Sequence, residues 1–443
     1  MTSSHPTPAP CQWFARRASA LDRRSAPRLA LRFLGAVLAR GRRTVTSWIR
    51  AAGLSDQCRP CYTAVAAAGK KAGTIAAYLV LAAVKPLVGG AERLTLALDD
   101  TPTKRYGPHV QGAGVHHNPT PGPAGSPYLY GHGFVVLGLL VTHPAWGMIA
   151  LPLLARMYVR KKDLIGIDPK HRPAFRTKLE LAVERLQWAK LWLGLLRKPL
   201  WAVVDGAYAK RPFLKEARAL DVTVVSRLRK AAALWSVPGP KPPGRRGPAP
   251  TYGDRRIELA KRAGQRRGWS TGVFDLYGGK QVKRYKTFLA TWRPAGGLIR
   301  VMLVEEPTGW VAFFCTDPGA SVAALLSAVA DRFALETAFR DCKEVVGAGQ
   351  QQVRFVGASL GAFHLCLWTY TMTEAWAWGR EAESLVDRSA SPWDDPARRP
   401  SHADKRRAWR RELLGAEIRA VLRPGVTAAE FQAVAERLLS LAA

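Results

Sequence analysis

Acidic residues are scarce in this chain: 33 Asp and Glu stand against 67 Lys and Arg, a formal net charge of +34 over 443 residues. Such an excess gathers anions around the whole molecule, so nucleic acid is the expected partner and an anionic membrane the second choice. Cysteine is sparse and scattered, with six residues at positions 11, 58, 61, 315, 342 and 366. That excludes a small disulfide framework and fits a reducing compartment. Cys58 and Cys61 form a CxxC, but no second CxxC or HxxxH completes a tetrahedral zinc site, so two incidental thiols near a turn are expected. Long unbroken apolar runs are also missing. The longest tract, residues 134–159, is interrupted by His143-Pro144 and again by Pro152, and reads as buried strands rather than as a spanning helix. No apolar stretch precedes the first arginines, so no secretory signal is expected, and the chain reads as soluble and cytoplasmic.

Hydrophobic residues make up 48% of the sequence, enough to fold most of it, and the length suits two or three domains. Residues 1–50 carry ten arginines and one acid, Asp22. Within them RLALRFLGAVLA has helical apolar spacing. After the basic RGRR, which holds Arg42 and Arg43, Val45, Trp48, Ile49 and Ala52 fall at i, i+3, i+4 and i+7. Two short helices joined by a basic turn fit a DNA-binding helix-turn-helix, and equally a small packed bundle. We expect residues 1–92 to form a basic helical N-terminal region that binds DNA.

From Leu94 the texture changes. LTLALDD reads as a strand ending on acids, followed by two apolar runs, YGHGFVVLGLLVTH and GMIALPLLARMYV. TKLELAVERLQWAKLWLGLL has helical periodicity, PLWAVV is a buried strand, RPFLKEARAL a short helix and DVTVVSRL a fifth strand. Three strands, a helix, then strand-helix-strand is the order of an RNase H-like fold, a mixed sheet flanked by helices. PGPKPPGRRGPAP, with six prolines, cannot be a regular element. It opens a basic, β-rich insertion over about 227–318, in which GVFDLYGG, VKRYKTFLATWR, LIRVMLVEE and GWVAFFCTD read as strands. A helix over 321–346 and another over 357–378 follow. The expected division is a catalytic domain at 93–346 and a helical C-terminal region at 347–443, whose basic tail is partly disordered or helical.

Three acids stand where a phosphoryl-transfer site would need them. Asp99 closes the first strand, Asp205 closes the fourth, and Glu336 lies on the helix after the insertion. Carboxylates suit hard divalent cations, and two such ions can activate an attacking oxygen and stabilise a leaving one. Either aspartate alone is more simply a turn residue. On a continuous helix Arg332, Glu336, Arg340 and Lys343 share a sector of about 80°. That face is either a solvated one laced with salt bridges or a metal-binding acid ringed by cations that grip phosphates.

Arg332-x3-Glu336-x6-Lys343 resembles the Tyr-x2-Arg-x3-Glu-x6-Lys signature of bacterial insertion-sequence DDE transposases. LALDDT resembles that family's first-aspartate motif and VVDGAYAKRPF its second. WVAFFCTDPG and ADRFALETAFRDCKEVVGAGQQQVR resemble its last strand, helix and loop. The resemblance covers about 94–378. It departs at the signature tyrosine, where this chain has Val329, and the doubled acid leaves Asp100 as an alternative to Asp99.

The resemblance implies a metal-dependent DNA transposase. Asp99, Asp205 and Glu336 would hold two Mg²⁺ or Mn²⁺ ions, and Arg332, Arg340 and Lys343 would hold phosphates. The enzyme would act as a homo-oligomer in the cytoplasm, on the nucleoid. It would cleave the inverted ends of its element and join the 3′-OH to target DNA. It also implies a tryptophan in the insertion that stacks on a flipped base, for which Trp269, Trp292 and Trp310 are the candidates. Rival readings are a host-adopted nuclease on the same fold and a catalytically inactive basic DNA-binding protein. One further segment, residues 105–132, is a long proline-rich loop just after the first acid, and His109, His116 and His117 in it are either site residues or solvent-exposed loop residues.

Overall fold

The computed structural model of the protein describes residues 19–442 apart from 119–120, 122–124, 242–245 and 390. The start of the basic N-terminal region, part of the proline-rich loop and part of the 238–250 stretch therefore lie outside the described residues.

The core grows from β1 (Leu94–Lys104), on one side of which β3 (Tyr128–His143) pairs antiparallel, with β2 (Gly114–His117) and β4 (Gly147–Tyr158) both antiparallel to β3. On the other side β5 (Leu200–Val204) and β6 (Val222–Leu228) run parallel to β1. Parallel neighbours need a crossover element. Helix Lys178–Leu193 precedes β5, and helix Arg211–Ala219 connects β5 to β6. The order β4-β3-β1-β5-β6 is that of an RNase H-like sheet. β1 continues past its acids to Lys104 instead of ending on them, because Thr101 to Lys104 keep pairing with β3. β2, inside the long loop, is a strand that sequence patterning did not anticipate.

Pro144 turns the corner of the β3–β4 hairpin. His143 holds that corner by accepting from Ala145 N and Trp146 N on Nδ1, its ring stacked on Trp146 at 3.8 Å. Pro152 has no N–H to offer a ladder. It sits where the β3–β4 register shifts, on a strand that pairs only with β3.

The insertion extends this same sheet. After the short strands β7 (Leu234–Trp235) and β8 (Arg256–Ile257) come β9 (Ser270–Leu276), β10 (Gly279–Trp292), β11 (Gly297–Glu306) and β12 (Gly309–Cys315). β12 pairs antiparallel with β6, so twelve strands form one sheet among the described residues.

Helices cover the sheet. Helix Val356–Ala377 is almost wholly buried and packs on β4 and on helix Cys58–Lys70. The two helices touch backbone to backbone at glycines: a Cβ on Gly361 would meet Val65 O at 1.9 Å, and one on Gly69 would meet Gly357 O at 2.1 Å. Helices Ser25–Leu38 and Val45–Ala51 form as the apolar spacing suggests. Val45, Trp48, Ile49 and Ala52 are all buried, in one core cluster with the sheet. The basic tail is ordered where it forms helix His402–Val421, capped by Ser401 and anchored by Lys405 and His402 on the buried Glu374 carboxylate. Among the described residues no single helix is long and apolar enough to cross a membrane; one pair, Ser55–Lys70 and Ala72–Val88, passes only when joined across an 80° bend.

Candidate active site

The first two acids meet through strand register. In the parallel β1–β5 pair Leu98 lies opposite Val204, so Asp99 and Asp205 follow side by side at the C-terminal end of the pairing. Asp205 leaves the strand into a turn, its Oδ2 accepting from Ala207 N at 3.0 Å and its carbonyl from Tyr208 N at 2.9 Å. Its side chain is exposed; Asp99 is half-buried.

Successive strand residues point to opposite faces, and the two acids of the first motif separate accordingly. Asp100 receives Lys178 Nζ at 2.5 Å and the Tyr208 hydroxyl at 3.2 Å. Asp99 turns to Arg332, whose Nη1 donates to Oδ2 at 2.6 Å, while the Asp100 amide donates to Oδ1 at 2.8 Å. Burial pushes the Asp99 carboxyl up to about 6; Arg332 opposes this, and the charges of Asp100 and Asp205 add to it. Burial, reinforced by Asp100 and Asp99, drives the Tyr208 hydroxyl well above its usual range, so it stays a donor.

Glu336 arrives on helix Phe333–Asp341, which buries Leu335, Ala338 and Phe339 and lies against β4, β3 and β1. The helix packs close to β3 at Gly138, where a Cβ would come within 2.9 Å of Leu335 Cδ1. Arg332 stands at the junction with the preceding helix Val322–Asp331, and its Nη2 donates to Glu336 Oε1 at 2.8 Å. One guanidinium thus joins the first and third acids. Asp331 and Asp341, the other acids flanking this helix, answer to different charges: Arg93 for Asp331, and His402, Arg340, Glu374 and Glu344 for Asp341.

The expected single cationic face does not form as drawn. The helix turns tightly at Arg332 and switches to a π-turn over Cys342–Val346, which breaks the 100° step before Lys343. Arg332 stays with Glu336, Arg340 projects outward near Asp341 at 3.8 Å, and Lys343 lines a separate cleft. Arg42 is exposed and lines the same cleft. Arg43 is half-buried; its amide donates to Gln350 Oε1 at 2.7 Å, its carbonyl accepts from Gln351 Nε2 at 2.9 Å, and its Nη1 donates to Glu344 O at 3.4 Å.

Of the three tryptophans, Trp292 is a core residue, 7% exposed with its ring edge on Phe314, which removes it from reach of a base. Trp269 and Trp310 are half-buried, with Lys286 and Arg284 over the first ring and Lys230 over the second. His109 is exposed, His117 meets Tyr128 edge-on, and half-buried His116 lies edge-on to Tyr158. Cys58 is exposed and Cys61 buried on one helix, as incidental thiols would be. Sequence reasoning missed Lys178 and Tyr208. Tyr208 stands three residues past Asp205 in the quoted second motif, whereas nothing near Lys178 marks it.

All three acids offer carboxylate oxygens, the donors that Mg²⁺ and Mn²⁺ prefer. As the chain stands, no three His, Cys, Asp or Glu side chains among the described residues are close enough to hold an ion. The Arg332 guanidinium lies between Asp99 and Glu336 as their counter-charge, where a divalent cation would neutralise the same oxygens. The donor set therefore fits such a cation once the guanidinium gives way.

A family model described as DDE superfamily endonuclease matches residues 18–293, a span that holds Asp99 and Asp205 and stops short of Glu336. No curated protein matches the chain.

Proposed function

The chain belongs to the DDE superfamily of endonucleases, and on that premise we propose that it is a DNA transposase, which cleaves the ends of a mobile element and joins the freed 3′-OH to target DNA. The observation that carries this reading is the meeting of Asp99 and Asp205 at the ends of two parallel strands, with Glu336 tied to Asp99 through Arg332. Asp99, Asp205 and Glu336 would hold Mg²⁺ or Mn²⁺, which when bound lowers the pKa of a nucleophilic water and stabilises the leaving oxygen.

The chain's own residues prepare that site. Lys178 and Tyr208 fix Asp100 on the opposite face of β1, which leaves Asp99 directed at the helix that bears Glu336. Asp205 is exposed, so its carboxylate is open to a substrate from solvent. With a cation on the acids, the Arg332 guanidinium would be free to hold a phosphate oxygen beside them. The net charge of +34 supplies attraction along the rest of the duplex.

The test uses duplexes cut from the two flanks of the gene. Wild-type protein in Mg²⁺ should nick them to a 3′-OH and join that end to a supercoiled plasmid. Asp205→Asn should do neither while binding the duplex within about threefold of wild type, because affinity rests on phosphate contacts. Nicking without joining would favour a host-adopted nuclease; binding alone, indifferent to Mg²⁺ and to Asp205, would leave only a DNA-binding protein.

A further inference from the structure

Past Asp99, β1 runs on to Lys104, about 17 Å further at roughly 3.3 Å per residue. There a cleft of about 700 Å³ opens between the end of that strand and loop 348–354. Lys104, Arg354, Lys343 and Arg42 line it, and none of its lining residues is acidic. Tyr106 lines it and is 78% exposed, an unusual position for an aromatic ring.

The floor supplies an independent sign. Arg105 is only 5% exposed. Its Nε donates to His132 Nδ1 at 3.1 Å, and its Nη1 to the carbonyls of Gly349 and Gln351 at 3.0 and 2.7 Å. Its Nη2 is buried without a hydrogen-bond partner among the described residues. Among the described residues no carboxylate pairs with this guanidinium, and burial pulls it down to about 10. His132 gives no compensation, because burial and Arg105 hold its ring neutral, down to about 3. A buried cation without a counter-charge is costly, and an anion seated in the cleft would supply one.

We propose that this cleft holds a short unpaired stretch of DNA strand leading away from Asp99, Asp205 and Glu336, its phosphates on Lys104, Arg354, Lys343 and Arg42 and a base stacked on Tyr106. A volume of about 700 Å³ has the size of a small-molecule site, room for a nucleotide or two and far too small for a duplex. A cationic groove with an aromatic platform is how proteins take single strands without reading their sequence. The inference rests on the reading of the chain as a DNA-processing enzyme, since it concerns the strand beside that enzyme's acids.

The experiment measures binding by the full-length protein in EDTA, where cleavage cannot intervene. The probes are a fluorescein-labelled twelve-nucleotide oligothymidylate and a duplex of twenty-four base pairs, each followed by anisotropy over a salt series. Lys104→Ala/Arg354→Ala, two exposed positions, should weaken the single strand about tenfold and flatten its salt slope by about 1.4, at roughly 0.7 per phosphate lost. Tyr106→Ala should weaken it about fivefold or more, and Tyr106→Phe should restore it. Duplex affinity should move less than threefold in all three. Unchanged single-strand affinity, or equal losses for both probes, overturns the proposal. If the wild type cleaves flank DNA through Asp205 while single-strand affinity does not move, only the cleft reading falls. If single-strand affinity drops as expected but the wild type never cleaves, only the enzyme reading falls.

Discussion

Arg332 reaches back 233 residues to Asp99 at 2.6 Å while its other terminal nitrogen holds Glu336 at 2.8 Å. The same side chain therefore closes the site electrostatically and competes for the oxygens a metal ion would need. Burial, with the charges of Asp100 and Asp205 added, holds the Asp99 carboxyl at about 6 even with Arg332 opposing the rise.

Removing the guanidinium should separate these two effects. Arg332→Ala removes the guanidinium that bridges Asp99 and Glu336, so in the absence of DNA it should bind Mn²⁺ several-fold more tightly than wild type. DNA cleavage should nevertheless slow, since a phosphate contact is lost. Isothermal titration with Mn²⁺ decides the first half: weaker binding would mean that Arg332 organises the acids rather than competing for them.

Much of this was legible in the sequence, and the failures have physical causes. Period-two and 3.6 patterning placed the core strands and the flanking helices, because buried faces impose those periods directly. The position of Asp205 at the end of β5 could be read because the fully apolar PLWAVV run stops there. The end of β1 was misjudged, since TPTK carries no apolar signal and pairs only because β3 continues beside it. The rotation of Lys343 was hidden, because a π-turn has no composition cue and helical-wheel angles assume an unbroken step. The basic N-terminal segment reads in sequence as a DNA-binding helix-turn-helix or, equally, as a small packed bundle. Its helices are part of the main core, with Arg32 itself fully buried, so deleting residues 1–50 would test folding rather than binding.

Trp292 provides a stability check on the insertion. It is buried at the end of β10 against Phe314, so Trp292→Ala should cost about 3–5 kcal/mol. A urea titration should show the lower midpoint, while DNA affinity of the folded protein stays unchanged. Loss of DNA binding with an unaltered midpoint would return Trp292 to the list of base-stacking candidates.

Acid should loosen the helix that covers β4. His364, fully buried on helix Val356–Ala377, accepts from Ala155 N at 3.0 Å on Nε2 and donates from Nδ1 to Leu360 O at 2.8 Å. Burial pulls its pKa from 6.5 down to about 3. The unfolded chain thus binds a proton that the folded chain refuses. Stability is whole above about 6.5 and falls as pH drops toward 3, by at most about 1.4 kcal/mol per pH unit for one such group. Thermal melts of wild type and His364→Gln between pH 7 and 4 should show a shallower fall in the variant. Parallel curves would assign the acid sensitivity elsewhere, with His132 the next group to examine.

The last prediction separates Glu336 from Lys343, which lie seven residues apart, the first on helix Phe333–Asp341 and the second in the π-turn that follows it, in different surroundings. Glu336 faces Arg332 and Asp99, so Glu336→Gln removes a carboxylate that the chemistry requires, and neither excess Mn²⁺ nor low salt should rescue cleavage. Lys343 lines the cationic cleft, where burial lowers its pKa, and it makes one charge-assisted contact with a DNA phosphate in the reading given above. Such a contact contributes roughly 1.5–3 kcal/mol, so Lys343→Ala should slow cleavage about ten- to a hundredfold. Low salt should restore part of that rate, because the remaining cations then act over a longer range. The measurement is cleavage of flank duplexes by both variants across a salt and Mn²⁺ matrix. If Glu336→Gln cuts at the wild-type rate, the third carboxylate lies elsewhere. If Lys343→Ala is as dead as Glu336→Gln and equally deaf to salt, the cleft and the acids form one site rather than two.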